Sequence, residues 1–272
     1  MSNPEYQRAS KTVELSISNS EWELQAQVTV PIEPVQVDEL LPLARALSDA
    51  LVNETQKILQ QSGETISCKK GCGACCRQLV AISEIEARQL SLLVDNIPEP
   101  RRSLLRSRFA EAQRRLEEAG LLQNLKNAAQ LSENDYLSLS SAYFEQHIAC
   151  PFLEDESCSI YSERPITCRE YLVTSPSENC SRPIESNINR VNLPLKVFNA
   201  VARWQVLPTN HFLERWVPLV LALEWAESFP SGPLPQPGPE LVRELLDHLS
   251  GKTTSFEQDI DPTKFTEAGG VV

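Results

Sequence analysis

The chain has 272 residues, 41% of them hydrophobic and 23% charged, with a net charge of −12. That is enough for one sizeable core, or one domain with appendages, and the acidic balance opposes non-specific nucleic-acid binding, which rests on neutralising phosphates. The longest apolar run, 216–223, lies between Arg215 and Glu224, far short of the roughly 18–20 residues a membrane span requires. The first eight residues carry an early acid, Glu5, and no apolar signal core, so the expected compartment is the cytoplasm.

Residues 12–30 alternate with a two-residue period. Val13, Leu15 and Ile17 share one face, then Trp22, Leu24, Ala26, Val28 and Val30 share one. With Ser18-Asn19-Ser20-Glu21 as the turn, this predicts a β-hairpin, ended by Pro31 and Pro34. From 38 to 61 the period becomes helical, through Leu40, Leu43, Leu47, Leu51, Ile58 and Leu59, and Gly63 stops the helix. Ser83, Glu84 and Glu86 form a helix start, with a serine cap and an acid three residues on. That helix runs to about 96, stopped by Pro98 and Pro100, and an arginine-rich helix over 99–119 ends at Gly120. Another is predicted over 132–146. Beyond it Pro151, Pro165, Pro176 and Pro183 punctuate a loop-like stretch with no helical period. Helices over 195–206 and 209–229, a stiff proline-rich linker over 230–239, a short helix over 240–249 and a polar tail complete the chain. The fold class expected is mainly α: a helical domain with an irregular cysteine-rich metal-binding core and an N-terminal β-hairpin. Its parts are the hairpin and first helix (1–62), the cysteine cluster with its helical insert (63–185), C-terminal helices (186–251) and the tail (252–272).

The chemistry lies in eight cysteines that fall into two sets, Cys68, Cys72, Cys75 and Cys76, then Cys150, Cys158, Cys168 and Cys180. Four plus four is the number of thiolates that tetrahedral zinc or an iron–sulfur cluster takes. A disulfide scaffold would carry cysteine at roughly 8–10% or more in a short secreted chain; here it is 8 of 272. Gly71 and Gly73 flank Cys72 and let the backbone fold tightly, while Lys69, Lys70 and Arg77 supply charge that stabilises thiolates. Adjacent Cys75 and Cys76 point to different sides. The partition is therefore two separate four-thiolate sites, or one site drawing on both sets.

In the second set, Cys150-Pro151 and Arg164-Pro165 suggest fixed turns presenting ligands. Phe152, Ile160, Tyr161, Ile166 and Tyr171 would shield a site from water, and Arg164 and Arg169 are candidate donors to its sulfurs. His147, three residues before Cys150, is an alternative ligand. The run Arg101, Arg102, Arg106, Arg108, Arg114 and Arg115 reads as a solvated helix face, or else as a surface for an anionic partner. No dinucleotide fingerprint, P-loop, zincin or nucleophile-elbow motif is present, and no residue outside the cysteines is singled out as an acid, base or nucleophile.

Cys68, then Gly71-Cys72-Gly73-Ala74-Cys75-Cys76, followed in order by Cys150-Pro151-Phe152-Leu153, Cys158-Ser159-Ile160-Tyr161 and Arg164-Pro165-Ile166-Thr167-Cys168-Arg169, resembles the YkgJ-type cysteine-cluster family. The resemblance covers roughly 68–180 and implies a zinc- or iron-chelating domain whose metal set is all eight cysteines. Some relatives, the flagellin lysine methylases, look like iron–sulfur enzymes acting on protein lysines, and this chain shows no extra sequence for that task. The expectation is a protein that binds iron, as an iron–sulfur cluster or as the ion, with a redox or protein-modifying role; whether it is an enzyme stays open. The alternative is a zinc-stabilised, non-catalytic module whose helices bind a protein partner. A protein partner or substrate is expected, with neither nucleic acid nor membrane. The helical insert should fold back so that the sets meet, with at least one of Cys150, Cys158 and Cys168 within about 7 Å, sulfur to sulfur, of Cys68, Cys72, Cys75 or Cys76, the reach across a shared metal or cluster.

Overall fold

In this computed structural model the described residues are 8–18, 23–127, 131–182, 188–204 and 216–250. The predicted hairpin forms: β1 (Ser10–Ser18) pairs antiparallel with β2 (Glu23–Pro31), Val13 opposite Val28 and Leu15 opposite Ala26. Most of its predicted turn, 19–21, lies outside the described residues. The hairpin ends at Pro31 as expected, and β3 (Pro34–Val35) pairs in a separate sheet with a strand far along the chain. A 3-10 turn, Val37–Leu40, leads into α1 (Leu41–Gln61), with a proline in its first turn, where the missing N–H has no helical partner to lose. The apolar stripe of α1 buries Leu41, Ala44, Leu47 and Leu51.

After the first cysteine set come β4 (Ala81–Ser83) and α2 (Glu84–Asn96). The capping box read from the sequence is present: the Glu86 N–H donates to Ser83 Oγ at 3.2 Å and the Ser83 N–H donates to Glu86 Oε2 at 3.0 Å. The arginine-rich helix is α3 (Arg101–Glu118), followed by an unforeseen single turn, α4 (Leu122–Lys126), and by α5 (Glu133–Glu145).

The second cysteine stretch carries more structure than its prolines suggested. β5 (Leu153–Glu154) and β6 (Ser157–Cys158) form a small hairpin over Asp155 and Glu156, both at positive φ, the backbone a tight two-residue turn demands. A short helix, α6 (Ile166–Glu170), starts directly after Pro165, a residue that suits a helix start. Next is α7 (Val197–Arg203), within the predicted 195–206.

The helix predicted over 209–229 is corrected. Residues 209–215 lie outside the described residues; the rest is β7 (Trp216–Pro218), a 3-10 turn Leu219–Leu221 and only then α8 (Ala222–Ser228). Pro218 has no N–H for a helical bond, and Trp216 and Val217 suit the strand that pairs antiparallel with β4, Ile82 opposite Val217. The supposed linker is also docked: β8 (Gln236–Pro237) pairs with β3. It leads into α9 (Gly238–Leu249), which buries Leu241, Val242, Leu245 and Leu249.

Two apolar clusters result. The larger unites the hairpin, α1, α7 and α9, from Leu15 to Leu249, and is tied by the buried Trp204, whose indole N–H donates to Leu241 O at 2.9 Å. The second joins α2, α3, β7 and α8 around Phe109, whose ring meets Phe152 edge-on at 5.5 Å. The cysteine segments bridge them: Phe152 and Ile160 belong to the second cluster, Ile166 to the first. Among the described residues no helix is long and apolar enough to cross a membrane.

Candidate metal centre

The first set folds as a run of tight turns. The N–H groups of Cys72, Cys76 and Gln78 donate to the carbonyls of Lys69, Gly73 and Cys75 at 3.0–3.1 Å, and Gly71 sits at φ +91, where a side chain would be strained. Gly73 has a different reason. A Cβ there would lie 2.6 Å from Glu156 O and 2.6 Å from Leu153 Cδ1, so the first set presses directly against the β5–β6 hairpin of the second.

The two sets meet along their backbones. The Cys150 N–H donates to Cys76 O at 2.7 Å and the Ser67 N–H to Val173 O at 2.9 Å. Gln78 Nε2 donates to Cys180 O at 3.0 Å and Thr167 Oγ1 to Ala81 O at 2.6 Å. Arg77 grips Glu156 with two hydrogen bonds, at 2.6 and 3.0 Å. Deepest of these ties is Glu86, 1% exposed: its Oε1 accepts from the Ile166 N–H at 2.7 Å, while Oε2 accepts from Ser83. One carboxylate thus starts both α2 and the helix that carries Cys168. The capping box signalled half of this role; nothing local signalled the other half, nor the part of Gln78 or Thr167.

All eight thiols are free, seven half-buried and Cys180 buried. Their mutual electrostatics single out Cys75. Cys72 and Cys76 act on it, and it acts in turn on Cys68, Cys150, Cys158, Cys168 and Cys180. A hydrogen bond with Cys76, and then burial, push the Cys75 thiol up; burial does the same at Cys68, Cys150, Cys158 and Cys168, and takes Cys180 up to about 11. Six sulfurs gathered away from water thus resist becoming thiolates until a cation joins them.

Arg164 opposes that trend, its charge pulling the Cys68, Cys158 and Cys168 thiols down. Its guanidinium lies 4.2 Å from the centroid of the Tyr161 ring, and Lys70 of the first set approaches that ring at 5.8 Å. Arg169 is spent on oxygen: it donates to both carboxylate oxygens of Asp49 at 2.7 and 2.8 Å, to Arg164 O at 3.2 Å and to Ser162 O. It holds the loop on which Arg164 stands. His147 sits at φ +49 with its ring edge-on to Phe144 at 6.1 Å; His211 lies outside the described residues, and His248 faces Glu244 on α9 at 3.5 Å.

In kind, eight reduced thiols suit iron or zinc. In position, the sulfurs are gathered without being closed: among the described residues no group of three or more cysteine, histidine, aspartate or glutamate side chains converges to hold an ion. A closed site requires the thiols to turn inward. The arginines of α3, meanwhile, are matched by oxygens. Arg101 and Arg108 meet Glu154, Arg102 meets Glu99, and Arg106 meets Asp95 and Glu227. Arg114 meets Glu111 and Glu118, and Arg115 donates to Gln146 O. Arg101, Arg106 and Arg114 are exposed, whereas Arg102, Arg108 and Arg115 are half-buried, and Arg108 and Arg115 tie α3 to the second cysteine stretch and to the end of α5.

Residues 67–184 match the CxxCxxCC family model, described as a "putative zinc- or iron-chelating domain". No curated protein and no solved structure matches the chain. The CxxCxxCC segment contains both cysteine sets and the helical insert, in agreement with the resemblance carried by the cysteine spacing. Its first residue, Ser67, is held to Val173 by the backbone bond described above. Elements outside the segment also support it, since β7 is the strand partner of β4 and Asp49 of α1 anchors Arg169.

Proposed function

We propose that the two cysteine sets together hold iron, as an iron–sulfur cluster or as thiolate-bound ions, in the seam where Cys76 meets Cys150, with Cys75 at its middle. The observation that carries this reading is the seam itself, where the Cys150 N–H donates to Cys76 O at 2.7 Å and a Cβ on Gly73 would lie 2.6 Å from Glu156 O. The eight thiols of the two sets exceed the four that a single tetrahedral zinc uses, and suit a cluster or paired ions. Such a centre, when bound, supplies one-electron chemistry or Lewis acidity. The chain's own residues supply the rest: Arg164 offsets thiolate charge, and Phe152 and Ile160 keep water from one side. Purification without air, followed by visible absorption and metal analysis, tests the reading. A coloured protein containing iron is the expected result; a colourless one with stoichiometric zinc overturns it.

A structural zinc reading is favoured by one feature. Between the end of α1 and β4 the first set has no helix or strand of its own, so a metal that pins the turns would add directly to folding stability. Chelation separates the two roles. Unfolding on metal removal supports the structural one, whereas an unchanged melting temperature excludes it.

A further inference from the structure

Among the described residues the β1–β2 hairpin stands as a sheet of two strands, so each strand is paired along one edge only. The start of α9 packs against β2: a Cβ on Gly238 would lie 2.5 Å from Pro31 O and 3.0 Å from Val30 Cβ. On β1, Lys11, Thr12, Glu14 and Ser16 are exposed. The Ile32 N–H donates to Ala9 O at 2.9 Å, and bonded and unbonded pairs alternate along an antiparallel ladder. Odd-numbered residues of β1 therefore bond to β2, and Pro31 falls opposite Ser10, where no N–H is needed. The N–H and C=O groups of Ser10, Thr12, Glu14, Ser16 and Ser18 are left pointing out along the other edge. Long edges are normally blunted by a bulge, a proline or an inward-pointing charge. Here β1 runs without a bulge from Ser10 to Ser18 and contains no proline, its one lysine stands near its start, and its core-facing Val13, Leu15 and Ile17 are uncharged.

We propose that this edge pairs with the same edge of a second copy of the chain, antiparallel about a two-fold axis at Leu15, so that two hairpins form one four-stranded sheet. The side chains select that register. Apolar faces stay on one side of the sheet only when odd residues oppose odd ones. With Leu15 opposite Leu15 of the second copy, Val13 meets Ile17, Glu14 meets Ser16 and Thr12 meets Ser18, and the outward groups of the even residues bond across the seam. An axis at Glu14 would set two carboxylates face to face, which is destabilising. An axis at Val13 would set Lys11 against Leu15, and one at Ser16 would leave only 14–18 paired. Val13 and Ile17, half-buried in the single chain, cover each other in the pair. The contact is small and each copy carries a charge of −12, so the dimer is weak, with a Kd on the order of 100 µM, and tightens with salt.

Analytical ultracentrifugation of the full chain tests this. The mass should rise from the 30.5 kDa of one chain toward twice that between about 10 µM and about 1 mM. Ser16→Pro removes an outward N–H and spares the bonds to β2, a position where an edge strand accepts proline; it should weaken the dimer about tenfold or more. Ser16→Lys sets a lysine across from Glu14 of the second copy, twice by symmetry, and should tighten it several-fold, whereas Ser16→Glu opposes like charges and should loosen it by a similar factor. Glu111→Gln, which shifts the net charge as Ser16→Lys does but on α3, should leave it unchanged. Circular dichroism checks that each variant folds, and if Ser16→Pro does not, the two charge variants decide. A chain that stays monomeric at about 1 mM, a dimer indifferent to the Ser16 variants, or a Glu111→Gln protein that tightens as much as Ser16→Lys overturns the proposal.

Discussion

Replacing Glu86 by alanine should do more damage than any other single change at the seam. The side chain is 1% exposed, and it accepts from the Ser83 N–H at 3.0 Å, the Ser83 hydroxyl at 2.9 Å and the Ile166 N–H at 2.7 Å. Ser83 and Ile166 are themselves 1% and 0% exposed, so water cannot replace the lost acceptor. Two backbone donors left unpaired cost about 1–3 kcal/mol each, and losing the reciprocal cap brings the total to about 3–5 kcal/mol. Against a typical stability of about 5–15 kcal/mol this is a large fraction; at about 2–4 °C per kcal/mol for a chain of this size, the melting temperature should fall by about 6–20 °C. Denaturant unfolding of the metal-free protein, followed by circular dichroism, measures it. Because the Ile166 bond starts the helix bearing Cys168, the variant should also lose bound metal faster on dialysis. Arg114→Ala, on the exposed face of α3, should leave the unfolding midpoint where it is. A Glu86→Ala protein within about 1 kcal/mol of the parent would refute the view that this carboxylate staples the two sets together.

Other expectations follow from the same contacts. Gly73→Ala should cost about 1–3 kcal/mol, the usual penalty of overpacking, because its Cβ would meet Glu156 O at 2.6 Å; unchanged stability and metal content would show that the sets are not pressed together there. Metal uptake should release protons. The Cys68, Cys150, Cys158, Cys168 and Cys180 thiols are pushed up by burial, and Cys75 by its bond to Cys76 and by burial, so near neutral pH each of them gives up a proton when it ligates. Apparent affinity should therefore rise with pH, by up to about tenfold per unit for each such thiol, and calorimetry in two buffers of different ionisation enthalpy counts the protons; a count near zero means that these thiols are not the ligands. Tyr161→Leu removes the ring that both Lys70 and Arg164 approach and should weaken metal retention, measured by competition with a chromophoric chelator, while barely changing the melting temperature of the metal-free chain.

How far local pattern reached is clearest in pairs of cases. The alternation of Val13, Leu15 and Ile17 was enough for the hairpin, because a two-residue period allows one face to be buried whatever lies beneath it. The same logic failed at 216–221. That run is apolar all round and suits a buried helix or a buried strand equally, and pairing with β4, more than a hundred residues earlier, decided for the strand. Ser83 and Glu86 announced a helix start because both halves of a capping box lie within one turn. The third hydrogen bond of Glu86, to Ile166, joins residues eighty apart and leaves no local trace. Arg169, proposed from the sequence as a donor to sulfur, is held by Asp49 of α1, a partner that spacing could not reveal.

By itself, the sequence determined the chemistry on offer: eight thiols in two sets of four, glycines where the first set must turn, and amphipathic helices to carry them. These depend on residue type and short spacing, which act before any distant contact forms. That the insert folds back and brings the sets together was expected from its helices; only the tertiary structure decided that they touch through the backbones of Cys76 and Cys150, that Gly73 is required by a neighbouring hairpin, and that the C-terminal segment closes the core through β8 and α9. Each of these depends on which distant surfaces pack together, and that choice rests on the burial of the whole chain, which no single segment encodes.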